Sequence, residues 1–382
     1  MKYVRKASCT ELLYNDMQDV MHTYASQYVM KIKPLNDERK LEEAINSAIR
    51  YNSGTNMSLK GRRLYDAEKA VKIKHVTVKE KDLFHSDFLN GKIDFRFESV
   101  QAFIVRHGGD KYFVIRVSHA VMDGKGGMML IENIFNCMNR KKMMKYDNLL
   151  TERELVKRLP HRSKRESKIP KLQPINARRI EHYTPRRKVL SLTGYSEAIV
   201  AKLARIFADE FEETEVRLMI PCDLRRHCKG ERHCGNLVLP IMLRVNKEDD
   251  VQAINGKLLI SLKNKDELNI RNTSYYCYNY LPGFVRHLLI KTMVFFAKKT
   301  GRFSIAGVVS YLGKIDFEVM QSKNLRISSF ISIPPAEPLG PFVVLITEYN
   351  NTTQIAISYY EKQYTEKYMD NLCKKIKEAI NE

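Results

Sequence analysis

His119 and Asp123 stand four residues apart in the string Ser118-His119-Ala120-Val121-Met122-Asp123-Gly124. An imidazole titrates near neutrality, so a histidine facing a cleft can take a proton from an alcohol or amine and return it to a leaving group. Asp123 can accept a hydrogen bond or ion pair that steadies the turn between the two. On residue types alone, a structural histidine fits equally well, because His and Asp recur at this spacing without catalytic purpose.

Other residues invite a chemical reading. His227-Cys228 and His233-Cys234, with Cys222 nearby, offer nitrogen and sulfur ligands of the kind zinc takes. Their spacing matches no usual finger, so a loop with incidental His and Cys is expected and no metal is assigned. Ser310 is a candidate donor to an oxyanion, against the plainer role of a strand serine satisfied by backbone. Tyr275, Tyr276, Tyr278 and Tyr280 alternate with other residues in YYCYNYLPG and suit either a channel wall or a packed aromatic segment.

The elements around His119 follow from periodicity. Apolar, partly alternating runs at 100–107 and 111–118 flank Gly108-Gly109-Asp110, the signature of a hairpin whose second strand delivers the chain to His119. Beyond Gly124, Gly126 and Gly127, which can shape a turn, Met128, Ile131, Ile134, Phe135 and Met138 recur at helical spacing. Upstream, 27–33 reads as a strand. Residues 36–50 read as a helix capped by Asn36, with Leu41, Ala44, Ile45, Ala48 and Ile49 on one face.

Downstream, a helix is expected at 196–211, strands at 215–221, 237–245, 304–311, 342–348 and 354–360, and a closing helix at 365–380. This mixture gives an α/β (α+β) protein with two lobes: residues 1–160, a basic proline-containing crossover at 161–188, and residues 189–382.

The chain has 382 residues, 44% apolar and 29% charged, enough to bury sizeable cores. Seven scattered cysteines and an N-terminus without an apolar core segment point to reduced thiols and a cytoplasmic setting. The most apolar run, residues 288–297, is short and interrupted by Lys291, so a buried helix rather than a membrane span is expected. The net charge is +21, and residues 139–188 alone carry 17 Lys or Arg against 5 Asp or Glu. Such a run attracts phosphate, anionic lipid, nucleic acid or an acidic protein, or is a solvated connector.

The string at 118–124 resembles the HxxxDG signature of the coenzyme A-dependent acyltransferase superfamily, which includes chloramphenicol acetyltransferase, condensation domains and alcohol acetyltransferases. Three further segments fall in the family's order. Pro221-Cys222-Asp223-Leu224-Arg225, with Gly235-Asn236 after it, resembles the P-x-D-L-R stretch and its following strand entry; Ser310-Tyr311-Leu312-Gly313 resembles S-N-L-G; and residues 355–380 resemble the closing strand and helix.

The resemblance implies two chloramphenicol-acetyltransferase-like lobes in a V-shaped pseudo-dimer, with a central tunnel. It implies an acyl group moved from a pantetheine thioester to an alcohol or amine, with His119 as general base. Asp123 would support the loop through an arginine, either Arg50 or Arg225, and Gly124 would let it turn tightly. Ser310, Tyr311 and Asn236 become candidates for the oxyanion site or tunnel wall.

No permanently bound cofactor is implied. The donor substrate is acyl-CoA or a phosphopantetheine thioester on an acyl- or peptidyl-carrier protein, and the acceptor is a small molecule. The diffuse basic run, represented by Arg162, Lys164 and Arg165, favours a wide rim for a carrier protein.

The sequence also departs from the pattern. Ser118 stands where condensation domains carry a first histidine, Tyr311 replaces the asparagine of S-N-L-G, residues 53–58 lack the expected arginine, and the plant-type D-F-G-W-G stretch is absent. These departures keep open a catalytically idle module that binds a carrier protein. A nucleic-acid binder has only charge in its favour, since no recognition motif is present, and none is expected as a partner.

Overall fold

The computed structural model describes every residue except 1, 22–23, 34, 36, 68, 160–170, 180–183, 229, 270–276, 338 and 382. The first half builds a sheet around the expected hairpin. Strands β1 (Tyr3–Lys6), β2 (Ala25–Ile32), β3 (Met57–Lys60), β4 (Arg63–Asp66), β5 (Ile73–Thr77), β6 (Val100–His107) and β7 (Asp110–Ser118) are joined by helices α1 (Cys9–Met21), α2 (Glu38–Tyr51) and α3 (Asp87–Asn90). The β6–β7 turn places Gly108 and Gly109 at φ of 56° and 85°, which glycine adopts without a Cβ penalty. Antiparallel pairing from Val100↔Val117 to His107↔Asp110 then fixes the register that ends β7 at Ser118.

The site helix is α4 (Gly124–Met138), followed by α5 (Glu152–Arg158). The second half contributes β8 (Pro185–Thr193), α6 (Ile199–Ala208), β9 (Glu215–Asp223), β10 (Val238–Asn246), α7 (Val251–Asn264), α8 (Gly283–Thr300), β11 (Gly307–Lys314), β12 (Ile327–Ile333), β13 (Val343–Tyr349), β14 (Thr352–Tyr360) and α9 (Glu366–Asn381). The sheets run β1-β4-β3, β12-β2-β7-β6-β5 and β10-β9-β11-β13-β14-β8. Strand β12 therefore crosses from the second half of the sequence to pair antiparallel with β2, Phe330 facing Met30.

Each larger sheet is packed against helices. Leu41, Ala44, Ile45 and Ala48 of α2 join Leu130, Ile131, Ile134 and Phe135 of α4 and Met30, Ile115 and Val117 of the five-stranded sheet in one buried cluster. Leu203 and Phe207 of α6, Ile254 of α7, and Leu372 and Ile376 of α9 cover the six-stranded sheet in another. Contact-making side chains recur at helical spacing on one face and strand spacing on the other, which is what lets the layers interlock.

Three expectations shift at the edges. Helix α2 is capped by Asp37, whose Oδ1 accepts from the Lys40 amide at 3.1 Å; Asn36 lies outside the described residues. The basic run is not connector throughout. Thr151 and Glu154 form a reciprocal capping box that starts α5 inside it, and β8 begins at Pro185.

The apolar run 288–297 lies in α8, but only part of it is buried: Ile290, Val294 and Ala297 are inside, whereas Leu288, Leu289, Phe295 and Phe296 face outward. Among the described residues, no helix is long and apolar enough to cross a membrane.

Candidate active site

β7 ends at Ser118, and the chain turns through residues 119–123 into α4. The turn is closed by its own backbone, with the Val121 amide donating to the Ser118 carbonyl at 2.9 Å and the His119 amide donating to the Tyr24 carbonyl at 3.2 Å. Asn236 Nδ2 donates to the His119 carbonyl at 2.6 Å, and Asn148 Nδ2 donates to the Val121 carbonyl at 3.0 Å. Residues distant in sequence thus pin a five-residue loop.

The loop's anchor is Asp123. Its Oδ1 accepts from the Gly126 amide at 2.8 Å, which caps α4, and its Oδ2 accepts from the Leu237 amide at 2.9 Å. Arg225 approaches the same carboxylate with two nitrogens, Nη1 to Oδ2 and Nη2 to Oδ1, both at 3.1 Å. Arg225 also donates to the His233 carbonyl at 2.6 Å, the Gly235 carbonyl at 2.7 Å and Asp223 Oδ1 at 2.8 Å. A buried guanidinium with this many acceptors is held charged despite desolvation. Of the two arginines that could partner Asp123, the structure selects Arg225; Arg50 is exposed and, among the described residues, donates to Ser47.

The glycines serve packing more than turning. None of Gly124, Gly126 and Gly127 has a positive φ, and all three lie in the first turn of α4. A Cβ on Gly126 would sit 2.0 Å from the Cys234 carbonyl oxygen, and one on Gly127 would sit 2.1 Å from the Tyr28 hydroxyl. Gly124 lies against Leu312 of β11, and its carbonyl accepts from Tyr28 Oη at 2.8 Å. The expectation that Gly124 permits a tight turn is therefore replaced by close approach: α4 begins flush against the loop before β10 and against β2 and β11.

His119 sits between aromatic rings. Tyr14 of α1 lies 4.8 Å away between ring centroids, and Tyr24 is stacked at 5.7 Å. Nδ1 of His119 is buried without a hydrogen-bond partner among the described residues. Burial pushes the imidazole pKa below its ordinary value, partly offset by the Asp123 charge and by backbone groups of His119 and Met122. The ring is thus biased towards the neutral form that accepts a proton.

Beyond Tyr24 lies a second titratable group. The Tyr24 hydroxyl donates to Glu337 Oε2 at 2.7 Å, and burial raises the Glu337 carboxyl to about 7. Tyr14, Tyr24 and Glu337 were not singled out from the sequence. A tyrosine in an amphipathic helix or a glutamate in IPPAEPLG carries no local signal that it will converge on one histidine.

The remaining candidates separate. Asn236 joins the site through the His119 carbonyl. Ser310 is half-buried in β11, and Tyr311 is 41% exposed with its hydroxyl donating to Glu348 at 2.8 Å. Neither makes a hydrogen bond or ring contact with His119 among the described residues. Arg162, Lys164 and Arg165 lie outside the described residues, as do Tyr275 and Tyr276. Tyr278 donates to Asp16 at 2.7 Å, whereas Tyr280 is exposed.

The His and Cys residues at 222–234 are not gathered as ligands. His227 pairs with Glu267 at 2.9 Å, and His233 with Asp147 at 2.8 Å and Glu231 at 3.1 Å. One group that could hold a cation among the described residues is Asp16, Asp19 and His287, but Arg286 and Lys92 already pair with its carboxylates. Among the described residues no cysteine forms a disulfide.

The chain is a mixed α/β fold in which the loop that ends β7 of the five-stranded sheet is tied by Asp123 to Arg225, after β9 of the six-stranded sheet. This fold is similar over the whole length of the chain to that of condensation domains. The starter condensation domain of rhizomide synthetase RzmA, a variant solved with C8-CoA and Leu-SNAC, superposes with a TM-score of 0.64 at 10% identity, covering 100% of this chain and 94% of that one.

The condensation domain of the monacolin K polyketide synthase MokA gives 0.65 at 8% identity, covering 100% and 97%. The epimerization domain from the third module of tyrocidine synthetase B gives 0.57 at 12%, covering 99% and 96%. At these identities the likeness is one of fold. No family model matches the sequence, and no curated protein matches it.

Proposed function

We propose that this protein is a condensation-type acyltransferase that moves an acyl group from a pantetheine thioester to an alcohol or amine, with His119 as general base. The observation that carries the reading is the placement of His119. It stands at the end of β7, in a loop anchored by Asp123 and Arg225 and between two tyrosine rings, with a depressed pKa and, among the described residues, no hydrogen-bond partner for Nδ1.

In this reading the five-stranded sheet, which β12 joins, and the six-stranded sheet, which β8 joins, belong to two lobes around a tunnel, with the basic crossover ending before Pro185. The imidazole takes the acceptor's proton as its oxygen or nitrogen bonds to the thioester carbon. Collapse of the tetrahedral adduct breaks the C–S bond, and the proton passes to the departing thiolate. Asn236, Ser310 and Tyr311 remain candidates to line the path. Asp123 and Gly124 act on the loop rather than on substrate.

Either acyl-CoA or an acyl-carrier protein fits as donor. That a fold neighbour was solved with C8-CoA supports the first, and the charge of residues 139–188 supports the second. Cysteines that form no disulfide among the described residues fit a reducing, cytoplasmic setting. The test is release of free thiol from octanoyl-CoA and from octanoyl-carrier protein, with amine and alcohol acceptors supplied in turn. Acceptor-dependent thiol release supports the reading. Tight carrier binding without release from either donor would mark an idle module instead.

A further inference from the structure

Helix α8 (Gly283–Thr300, GFVRHLLIKTMVFFAKKT) is apolar around nearly its whole circumference and contains no Asp or Glu. A helix of that composition is expected to be buried on all sides, yet among the described residues this one is covered on one side only. Its inner stripe, Ile290 and Val294, packs with Met17 and Met21 of α1 and with Tyr24, and Arg286 pairs with Asp16 at 2.7 Å.

The outer side leaves Phe284, Leu288, Leu289, Phe295 and Phe296 between 48% and 76% exposed. With about 100° of turn per residue, Phe284, Leu288 and Phe295 fall within about 40° of one another, and Leu289 and Phe296 lie roughly 80–140° further round, with Thr292 and Lys299 between the two groups. The result is a broad exposed face roughly three turns long, apolar but for Thr292 and Lys299. Scattered surface leucines need no explanation, but a face of this kind marks an interaction surface.

The charges on this face indicate what covers it. Lys291 and Lys298 border it on one side, and Lys299 stands within it, 5.9 Å from the centroid of the Phe295 ring. A second copy of the same face would set these lysines against one another with no acid on either helix to compensate. An anionic bilayer instead takes the aromatic and aliphatic side chains into the acyl boundary, while the lysine stems reach the head groups.

We propose that the outer face of α8 docks the protein on an anionic membrane surface, with the helix lying in the interface rather than crossing it. The inner stripe of the same helix shares its cluster with Tyr24, which stacks on His119, so docking brings the candidate site close to the lipid surface. The inference does not depend on the acyl-transfer reading.

The experiment is flotation of the full-length protein with phosphatidylcholine vesicles, with and without phosphatidylglycerol. Binding is expected to rise at least about tenfold with phosphatidylglycerol and to fall as salt is added. The triple variant Phe284→Ser/Leu288→Ser/Phe295→Ser changes exposed positions, so it should keep its melting temperature and lose most binding. Lys291→Glu/Lys298→Glu/Lys299→Glu should abolish the preference for phosphatidylglycerol.

Failure of the wild type to float, or equal flotation of the serine variant, overturns the proposal. So does a wild-type dimer, seen by light scattering, that the serine variant converts to monomer while neither protein binds vesicles. Binding of a carrier protein that the serine variant alone loses would also assign the face elsewhere.

Discussion

Asp123 and Arg225, 102 residues apart, face each other through two 3.1 Å hydrogen bonds, with the arginine side chain 9% exposed and the aspartate 2%. The pair ties the start of α4 to the segment after β9, so the loop bearing His119 is held from both halves of the chain. Asp123 also caps α4 and accepts from Leu237; one carboxylate therefore fixes three partners.

Asp123→Asn keeps the shape but removes the charge, leaving Arg225 buried with only Asp223 as counterion. The expected loss is about 3 kcal/mol of stability, with a parallel fall in turnover. Adding Arg225→Met to that variant should cost much less than Arg225→Met alone, because the interaction is already broken. Denaturant midpoints of the four proteins check this; strict additivity would contradict it.

Gly126→Ala tests close approach. The new Cβ would meet a backbone carbonyl, that of Cys234, which cannot rotate away. A destabilisation of roughly 1–3 kcal/mol is expected, although alanine favours helix over glycine. An unchanged or raised melting temperature would remove the packing argument.

The pH dependence of turnover should follow His119. Burial favours the neutral ring, so kcat/KM should rise with pH through an inflection below the ordinary imidazole value of about 6.5 and be flat at neutrality. An inflection above neutrality would mean that His119 is held charged and is not the base.

Glu337 predicts a pH effect of opposite sense on stability. Its carboxyl is raised to about 7, so the native state keeps a proton that the unfolded state releases above its ordinary value. Stability should therefore fall as pH rises from about 4.5 to 7, by on the order of 2 kcal/mol, and Glu337→Gln should flatten that slope. Urea midpoints across the window provide the measurement; an unchanged slope in the variant would place the titration elsewhere.

Much of the site's frame was legible because it is local. The alternation around Gly108-Gly109 gave the hairpin, and the spacing of Met128 to Met138 gave α4. Asn350 and Asn351, at φ of 44° and 56°, turn the chain between β13 and β14, which match the strands expected at 342–348 and 354–360. What escaped depends on long-range convergence. Strand β12 pairs with β2 across roughly three hundred residues of chain, and no periodicity in ISSFISI says which sheet it joins. Tyr14, Tyr24 and Glu337 come from an α-helix, the entry to β2 and the segment after β12, and only the fold brings them together. In α8 the apolar composition was read correctly as helix and wrongly as buried, because composition does not report which face a neighbour covers.

The central claim is that His119 moves the proton in acyl transfer. Its most direct test is the rate of acceptor-dependent thiol release by His119→Ala beside the wild type, with matched melting temperatures confirming the fold. A loss of at least about a hundredfold is expected, with the loop and fold intact. Turnover near the wild-type rate in a folded His119→Ala protein would contradict it.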